Sequence, residues 1–471
     1  MILSVLIVGL ILRLINLNQS LWLDEAINVL ATKNYSFLSL ITEYSKGDFH
    51  PPGWFIILWF WTKLFGYSEI AIRIPSVIFG VISIYVTFLI GKKLISKEVG
   101  VIAALLLCLN PLHIYYSQEA RMYAMATLAV LVNIFILLKL VKGEKLNLIF
   151  LILSNMALLA SDYIAYFIFP AELFLLLLKK KEIIKKWAVA LIIALVLGIW
   201  WLPIFLSQLN VGSVASSNLP TWKFVVGAFD FKTLPLTFVK FIIGRISLAD
   251  KVVYAAALLP ICSLFALLLL RGIKRVNDFS RKLLVGWLVI PLLIATVVSF
   301  VVPVYSYFRV LYVIPAFLIL ISAGILSFEK RFKKTFLTLV FLIELFCSLI
   351  YLLNPSYHRE DWKGLIDFLK NQDKNSKILF ESSGTLPPFD YYAKGSLNAN
   401  GALKNFPAKT ADDVMDLQSI SLNSKDVYLI DYLVEISDPL RLIDNKLIRL
   451  DYQLVETKNF GGVGFLYHYV R

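Results

Sequence analysis

Charged residues are scarce in this sequence, and their scarcity excludes an ordinary soluble protein. Only 17% of the 471 residues are charged, whereas 59% are hydrophobic and the mean hydropathy is +0.76. The apolar residues lie in long runs rather than on amphipathic stripes. We therefore expect a polytopic membrane protein in contact with the lipid bilayer.

Cysteine is also rare, and the common nucleotide and metal motifs are missing. Cys108, Cys262 and Cys347 all fall inside apolar runs, where they suit small hydrophobic positions better than disulfides or metal sites. The sequence contains no Walker A motif, no GxGxxG and no HExxH. The net charge is +14, but the basic residues are dispersed between apolar runs, so no nucleic-acid partner is expected.

Eleven apolar runs are predicted to span the membrane, because a bilayer core of about 30 Å needs roughly 17 to 25 helical residues. They cover residues 1–17, 72–91, 99–115, 122–138, 147–161, 163–178, 187–206, 252–270, 283–301, 310–327 and 335–353. No small-residue cleavage site follows the first run before Trp22, which indicates a retained helix rather than a signal peptide. Residues 54–66 are apolar but short and rich in Trp, which favours an interfacial or re-entrant helix.

The connecting loops differ in charge, and the difference predicts the orientation. Twenty Lys and Arg lie in five short alternate loops, at 92–97, 139–145, 179–186, 271–282 and 330–334. By the positive-inside rule these loops face the cytoplasm. The N-terminus is then cytoplasmic, and the loops 18–71 and 207–251 and everything after residue 353 are extracytoplasmic, in a multi-pass protein of the cell membrane.

The composition changes after the last span and predicts a second domain. Residues 354–471 carry 14 Lys and Arg against 16 Asp and Glu, a net charge of −2, and no run of span length. Short β-like runs at 377–381, 426–430 and 464–469 alternate with predicted helices at 361–370 and 411–420. We predict an α-helical membrane domain over 1–353 and a small soluble α/β domain over 354–471.

Ionisable residues gather near the external ends of the predicted spans. They are Asp24 and Glu25 in LWLDEA, His50 in HPPGW, Glu119 and Arg121 in YSQEARMY, and Arg309 ahead of the tenth span. Three acids, a His and two Arg suit an anionic lipid headgroup and a nucleophile that must lose a proton. Their joint appearance favours a functional site.

Each of these groups also has a structural interpretation. Asp24 and Glu25 suit the first turn of a helix, and His50 with its two prolines suits a turn that starts an interfacial helix. Glu119 and Arg121 suit a local ion pair, and Arg309 suits a contact with lipid headgroups.

The order of these motifs resembles the GT-C membrane glycosyltransferases, and among them the protein O-mannosyltransferases and lipid A aminoarabinose transferases. The resemblance covers about residues 1–353 and rests on LRL…LWLDEA, HPP, YYSQEARMYA and the Arg ahead of a Pro-containing helix. It implies a GT-C fold and inverting transfer of a hexosyl or pentosyl group from a polyprenyl-phosphate donor. The acceptor would be a hydroxyl of a lipid, glycan or protein on the extracytoplasmic face.

The resemblance also implies roles for individual residues. Asp24 would be the general base, Glu25 would orient it, and Glu119 would take the place of the second-loop acid. Arg121, Arg309 and His50 would bind the donor phosphate, which Arg forks suit well. Trp22, Gln118, Tyr123 and Arg245 would support the substrate or the loops. No cofactor is implied with certainty, and a divalent metal at His50 and Glu25 is left open.

Two substitutions and one missing domain separate the chain from these families. His50 stands where the aminoarabinose transferases carry Lys, and Glu119 stands where the family has Asp, so the sugar cannot be carried over. The β-trefoil domain of eukaryotic protein O-mannosyltransferases is missing, which weakens a protein acceptor. A lipid or solute transporter is the alternative function, although transporters favour internal repeats and charges at the bilayer midplane.

Overall fold

The computed structural model describes residues 1–177, 179, 181–218, 227, 230–421 and 424–471, and the chain forms two compact units. The first unit contains the described residues within 1–17, 37–211 and 224–357. The second contains those within 18–36, 212–223 and 358–471. Residues 219–226 and 228–229 of the predicted external loop 207–251 lie outside the described residues, as does residue 178 of the sixth predicted span.

The first unit is helical throughout its described part. Its α-helices, including one that continues into residues of the second unit, are Ile2–Leu14, Phe37–Thr42, Gly53–Phe65, Glu69–Leu94, Lys97–Leu109, Pro111–Ser117, Tyr123–Val141, Leu148–Leu159, Ile168–Leu176, Lys181–Leu197, Leu202–Asn218, Thr233–Ile243, Lys251–Arg275, Asp278–Val298, Ile314–Ile325 and Lys330–Leu353. Short 3₁₀ turns lie at Tyr44–Gly47, Ile164–Phe167, Ile199–Trp201, Leu311–Val313 and Pro355–Tyr357.

The described helices account for all eleven predicted spans, but not all as single straight helices. Five helices within the described residues are long and apolar enough to cross a bilayer: Glu69–Leu94, Tyr123–Val141, Lys251–Arg275, Asp278–Val298 and Lys330–Leu353. Two further predicted spans each consist of a pair of helices with a bend between them. The first pair bends by 62° at Asn110, and the second bends by 46° near Gly198. Shorter apolar helices of 10 to 17 residues occupy the remaining four, together with Gly53–Phe65 in the predicted interfacial segment.

Side-chain caps and small residues explain several of these boundaries. Ser68, Ser96 and Asn277 each accept a hydrogen bond from a backbone N–H in the first turn of the helix that follows. Gly272 and Gly324 lie where two helices approach so closely that a Cβ at either position would overlap a carbonyl oxygen of the other helix. The small residues therefore determine how near Lys251–Arg275 and Ile314–Ile325 can pack.

The second unit combines the helix Leu23–Asn34 with an α/β fold. Its other helices are Trp362–Lys370, Pro387–Ala393, Leu417–Ser421, Val434–Ser437 and Leu442–Arg449, with 3₁₀ turns at Ser383–Thr385 and Ala411–Asp413. Five strands, β1 (Lys377–Phe380), β2 (Ala399–Gly401), β3 (Asp426–Ile430), β4 (Gln453–Phe460) and β5 (Gly464–Val470), form one sheet. Their order is β2-β1-β3-β5-β4, with β1 parallel to β2 and β3, and β5 antiparallel to β3 and β4.

The α/β composition and three of the strands agree with the sequence prediction, whereas one helix was wrong. The predicted helix 411–420 is instead a 3₁₀ turn at 411–413 followed by a helix that starts at Leu417. Thr410 and Asp413 close a capping box around the turn, and Val414 makes a β-bridge to Leu403. The bridge requires an extended backbone at Val414, so the helix cannot run through it.

Candidate functional site

The first unit holds a group of ionisable side chains around His50. His50 Nδ1 lies 2.6 Å from Asp48 Oδ1, and His50 Nε2 lies 3.4 Å from Arg121 Nη2. Burial raises the pKa of Asp48, but the charge and hydrogen bond of His50, with the charge of Arg121, outweigh burial and hold it below its usual value. Asp48 therefore stays ionised beside His50 and Arg121.

Asp162 is the second acid of this group. It is 4% exposed and follows the helix Leu148–Leu159, and its Oδ1 accepts a hydrogen bond of 2.9 Å from the backbone N–H of Ile164. Burial raises the pKa of Asp162, and the charges of His50, Arg309 and Arg121 offset the rise only in part. The carboxyl therefore lies within electrostatic reach of all three predicted phosphate-binding residues.

The backbone around Gly53 brings these two acids near each other. The Gly53 N–H donates a hydrogen bond of 2.9 Å to the carbonyl oxygen of Ala160, and a Cβ at Gly53 would overlap that oxygen. Gln208 also binds the loop that carries Asp48 and His50. Its Nε2 donates hydrogen bonds to the carbonyl oxygens of Ser45 at 2.6 Å and His50 at 3.1 Å. The helix Gly53–Phe65 begins directly after the two prolines, as the structural interpretation of His50–Pro52 predicts.

The loop that carries Glu119 and Arg121 is buried and firmly held. Gln118 Nε2 donates to the carbonyl oxygens of Arg13 at 3.1 Å and Ile15 at 2.7 Å, and its Oε1 accepts from Tyr351 Oη at 2.6 Å. Glu119 is 1% and Arg121 5% exposed. Gln118 thus supports the loop through three hydrogen bonds, which fixes the direction of the two charged neighbours.

Aromatic rings surround the same loop. Tyr123 packs edge-to-face on Phe308 and Tyr116 with ring centroids 5.3 and 5.2 Å apart. The Arg245 guanidinium lies 4.4 Å from the ring centroid of Tyr115 and donates a hydrogen bond to the Tyr115 hydroxyl. These contacts agree with a supporting position for Tyr123 and Arg245. Arg309 follows Phe308 directly, and it donates a hydrogen bond of 3.4 Å to the carbonyl oxygen of Val304.

The second unit holds the other predicted acids. Asp24 and Glu25 lie in the first turn of the helix Leu23–Asn34, whose N-cap is Trp22. Acidic side chains are favourable there, which agrees with their structural interpretation. Glu25 is fully buried, while Trp22 and Asp24 are half-buried. Glu25 Oε2 lies 4.0 Å from the guanidinium of Arg359.

The structure places the predicted site residues in two groups. His50, Glu119, Arg121, Arg309, Gln118, Tyr123 and Arg245 belong to the first unit, and Trp22, Asp24 and Glu25 to the second. Among the described residues, no three His, Cys, Asp or Glu side chains are arranged to hold a metal ion.

Sequence reasoning missed four ionisable residues that the structure adds. Asp48 stands two residues before His50, and this Asp-x-His spacing in a predicted external loop was a signal for it. Asp162 falls between the predicted spans 147–161 and 163–178, where a single charged residue indicates only a break between two spans. Arg359 and Glu360 lie near Asp24 and Glu25, far along the chain, and no local pattern marks them.

Comparison with known proteins adds a family match and a fold. Residues 49–203 match the family model described as dolichyl-phosphate-mannose-protein mannosyltransferase. A search of curated protein sequences gives no match. The matched segment contains His50, Glu119, Arg121 and Asp162.

Solved structures resemble the chain over nearly its whole length. ArnT from Cupriavidus metallidurans bound to undecaprenyl phosphate has a TM-score of 0.57 at 12% identity, over 99% of this chain and 97% of ArnT. AglB from Archaeoglobus fulgidus, an archaeal oligosaccharyltransferase in complex with an inhibitory peptide and a dolichol-phosphate, has a TM-score of 0.54 at 12% identity, over 99% of this chain and 74% of AglB. The chain has the GT-C fold. The predicted fold class and the sequence resemblance are confirmed, and the GT-C fold and the family match together support a membrane glycosyltransferase.

Proposed function

We propose that this protein is an integral-membrane glycosyltransferase that moves a sugar from a polyprenyl-phosphate donor to an acceptor hydroxyl. The observation that carries the proposal is the group formed by buried Arg121 and Asp162 with half-buried Asp48, His50 and Arg309 in a chain of GT-C fold. Ionisable side chains buried beside apolar helices are costly and are functional candidates by default. The undecaprenyl phosphate in ArnT and the dolichol-phosphate in AglB support the same class of lipid donor here.

The first-unit group suits a phosphate. Arg121 and Arg309 supply fixed positive charge, and a guanidinium can make two parallel hydrogen bonds to phosphate oxygens. His50 contacts both Asp48 and Arg121, so the three side chains restrain one another. As the sugar leaves, negative charge grows on the lipid phosphate, and charges already in position stabilise it without reorganisation.

Asp24 is the proposed general base. Its carboxylate takes the proton of the acceptor hydroxyl while the oxygen attacks the anomeric carbon and the bond to the phosphate breaks on the opposite face. The proton ends on Asp24 and the electron pair on the polyprenyl phosphate. Because attack and departure occur on opposite faces, the configuration at the anomeric carbon inverts. Glu25 orients Asp24, and Glu119 takes the place of the second-loop acid of the GT-C families that the sequence resembles.

The protein would act at the outer face of the cell membrane, with a cytoplasmic N-terminus and an extracytoplasmic C-terminal segment. The lysine-rich and arginine-rich loops support this orientation. The acceptor would be a lipid, a glycan or a protein of the cell envelope.

A transfer assay tests the proposal. Purified protein in nanodiscs would be incubated with a polyprenyl phosphate carrying a radiolabelled hexose or pentose and with a panel of lipid, glycan and peptide acceptors. We expect label in one acceptor class and none with Asp24→Asn. Movement of the intact labelled lipid across a vesicle membrane, without transfer to any acceptor, would instead support the transporter alternative.

A further inference from the structure

The loop segment that carries Asp24 and Glu25 is folded together with the C-terminal segment in the second unit. The backbone N–H of Leu21 donates to Tyr392 Oη at 2.8 Å, and the backbone N–H of Arg359 donates to Gln19 Oε1 at 2.9 Å. Lys363 Nζ donates to the carbonyl oxygen of Asn18 at 2.8 Å. These bonds position the backbone on the N-terminal side of the two acids.

The side chain of Leu23 adds an apolar contact to the same arrangement. It packs against the core cluster that includes Trp362, Phe380 and Phe389. Burying a leucine side chain is favourable, so Leu23 holds the start of its helix against the C-terminal segment. Asp24 follows Leu23 directly and cannot move independently of it.

Arg359 is the charged partner of Glu25. Its Nη1 lies 4.0 Å from Glu25 Oε2, and the two side chains are 2% and 0% exposed. A buried carboxylate is costly without a compensating positive charge. Arg359 thereby supplies a compensating positive charge next to Glu25.

Glu360 is held by two hydrogen bonds and interacts electrostatically with Asp24. Its Oε2 accepts from Trp362 Nε1 at 2.7 Å, and its Oε1 accepts from Tyr432 Oη at 2.9 Å. The Tyr432 oxygen in turn accepts a hydrogen bond from the backbone of Leu23. A chain of hydrogen bonds therefore runs from Glu360 to the residue that precedes Asp24.

We propose that Arg359 and Glu360 are positioning residues for the acid pair Asp24–Glu25, and that Glu360 and Asp24 interact electrostatically. The proposal rests on the proposed function, because it assigns the general base to Asp24. The first residues of the C-terminal segment therefore help to position the acids that the proposed reaction uses.

The electrostatics around Glu360 support this coupling. Asp24, Arg359 and Tyr432 are among the titratable and charged groups near it. Burial raises the pKa of Glu360 to about 7, and the negative charge of Asp24 adds to the rise, while the hydrogen bonds and Arg359 oppose it.

The sign of the effect on stability follows from this pKa. Between the ordinary pKa of Glu, near 4.5, and the folded value of about 7, the folded protein binds more protons than the unfolded chain. Stability therefore falls as the pH rises through this window. Replacement of Glu360 by Gln should remove that part of the pH dependence.

Unfolding curves test the coupling without relying on activity. The midpoint of thermal unfolding would be measured from pH 4.5 to 8 for the wild type, Glu360→Gln, Asp24→Asn and Glu435→Gln, an exposed acid of the same unit. We expect the fall in midpoint to disappear in Glu360→Gln, to shift to lower pH in Asp24→Asn, and to stay unchanged in Glu435→Gln. An identical window in Asp24→Asn and the wild type would overturn the proposal.

Transfer kinetics test the consequence for catalysis. We expect kcat/KM of Glu360→Gln to match the wild type near pH 5.5, where Glu360 is protonated. At pH 8 it should fall below the wild type by up to about tenfold, because the amide lacks the charge-assisted hydrogen bonds that the ionised carboxylate accepts from Trp362 and Tyr432. An equal loss at every pH would mean a purely structural role and would overturn the proposal. Absence of transfer in the wild type, with the unfolding shift present, would reject the proposed function but keep the contact between Asp24 and Glu360.

A charge-matched pair tests Arg359. Arg359→Met alone leaves Glu25 buried without its cation, whereas Arg359→Met with Glu25→Gln removes both charges. We expect the double variant to unfold at a higher temperature than Arg359→Met. A double variant that unfolds no later than the single one would contradict the proposed pairing.

Discussion

The backbone N–H of Gly53 donates a hydrogen bond to the carbonyl oxygen of Ala160 at 2.9 Å. Gly53 begins the helix that follows His50, and Ala160 precedes Asp162 by two residues. A single backbone contact thus joins the segment that supplies His50 and Asp48 to the segment that supplies Asp162. The contact requires glycine, because a Cβ would overlap the Ala160 oxygen.

Gly53→Ala should destabilise the protein and weaken transfer. The added methyl group must push the two segments apart, and overpacking of this kind costs about 1 to 3 kcal/mol. The measurement is chemical unfolding of the detergent-solubilised protein, followed by transfer activity. Gly47→Ala is the matched control, since a Cβ there meets no atom within 4 Å. Equal stability of the two variants would show that the segments adapt without cost.

Asp24→Asn should abolish transfer while the protein stays folded. The amide keeps the shape of the carboxylate but cannot accept the proton of the acceptor hydroxyl, and loss of a general base costs about 10²- to 10⁴-fold in rate. The measurement is kcat at saturating donor and acceptor, with Glu25→Gln assayed beside it. Near-normal activity in Asp24→Asn, together with inactivity in Glu25→Gln, would move the base to Glu25.

Arg121→Ala and Arg309→Ala should each weaken use of the lipid-phosphate donor. Both cations act on Asp162, and His50 contacts Arg121 directly, so each removal takes positive charge from the surroundings of buried Asp162. Arg→Lys should restore only part of the loss, because an ammonium group cannot make the two parallel bonds of a guanidinium. The measurement is donor KM and kcat at fixed acceptor.

Lys330→Ala and Lys334→Ala serve as controls for these arginine variants. Both lysines lie at the start of the helix Lys330–Leu353, in a basic stretch predicted to be cytoplasmic and away from the donor. We expect their donor kinetics to match the wild type. Unchanged kinetics in both arginine variants would leave a structural role as the better account of Arg121 and Arg309.

Cysteine labelling should place the C-terminal segment outside the cell. Ser396 and Lys145 are exposed positions, the first in the C-terminal segment and the second in a basic loop. In a background with Cys262→Ser, an impermeant thiol reagent added to intact cells should label Ser396→Cys and leave Lys145→Cys unlabelled. Cys108 and Cys347 are buried and should not interfere. The opposite labelling pattern would invert the predicted topology.

The membrane helices were predictable because length and hydropathy alone decide which runs can cross a bilayer. Hydropathy carries no information about bends, however. The break at Asn110 depends on a cap, since the Asn110 side chain accepts from the backbone N–H of His113, and Pro111 occupies the first turn that follows. The short helix Leu148–Leu159 likewise ends before the loop that carries Asp162.

The site was predictable only where a charge stands out from apolar surroundings. His50, Glu119, Arg121 and Arg309 are conspicuous beside long hydrophobic runs, and the first three lie within the segment that matches the mannosyltransferase family. Glu360 is one of 16 acidic residues in the segment 354–471, so its carboxylate does not stand out in the sequence. Its proximity to Asp24 depends on contacts between residues more than 300 positions apart, which no local pattern reveals.

The hydrogen bonds of Gln19 and Leu21 with Arg359 and Tyr392 limit how this protein can be re-engineered. A chimera that exchanges only residues 358–471 for the tail of another glycosyltransferase would lose the partners of residues 18–23. A chimera that folds would have to take both the short loop segment and the C-terminal segment from the same source protein. Specificity in such hybrids should follow the origin of this pair rather than that of the tail alone.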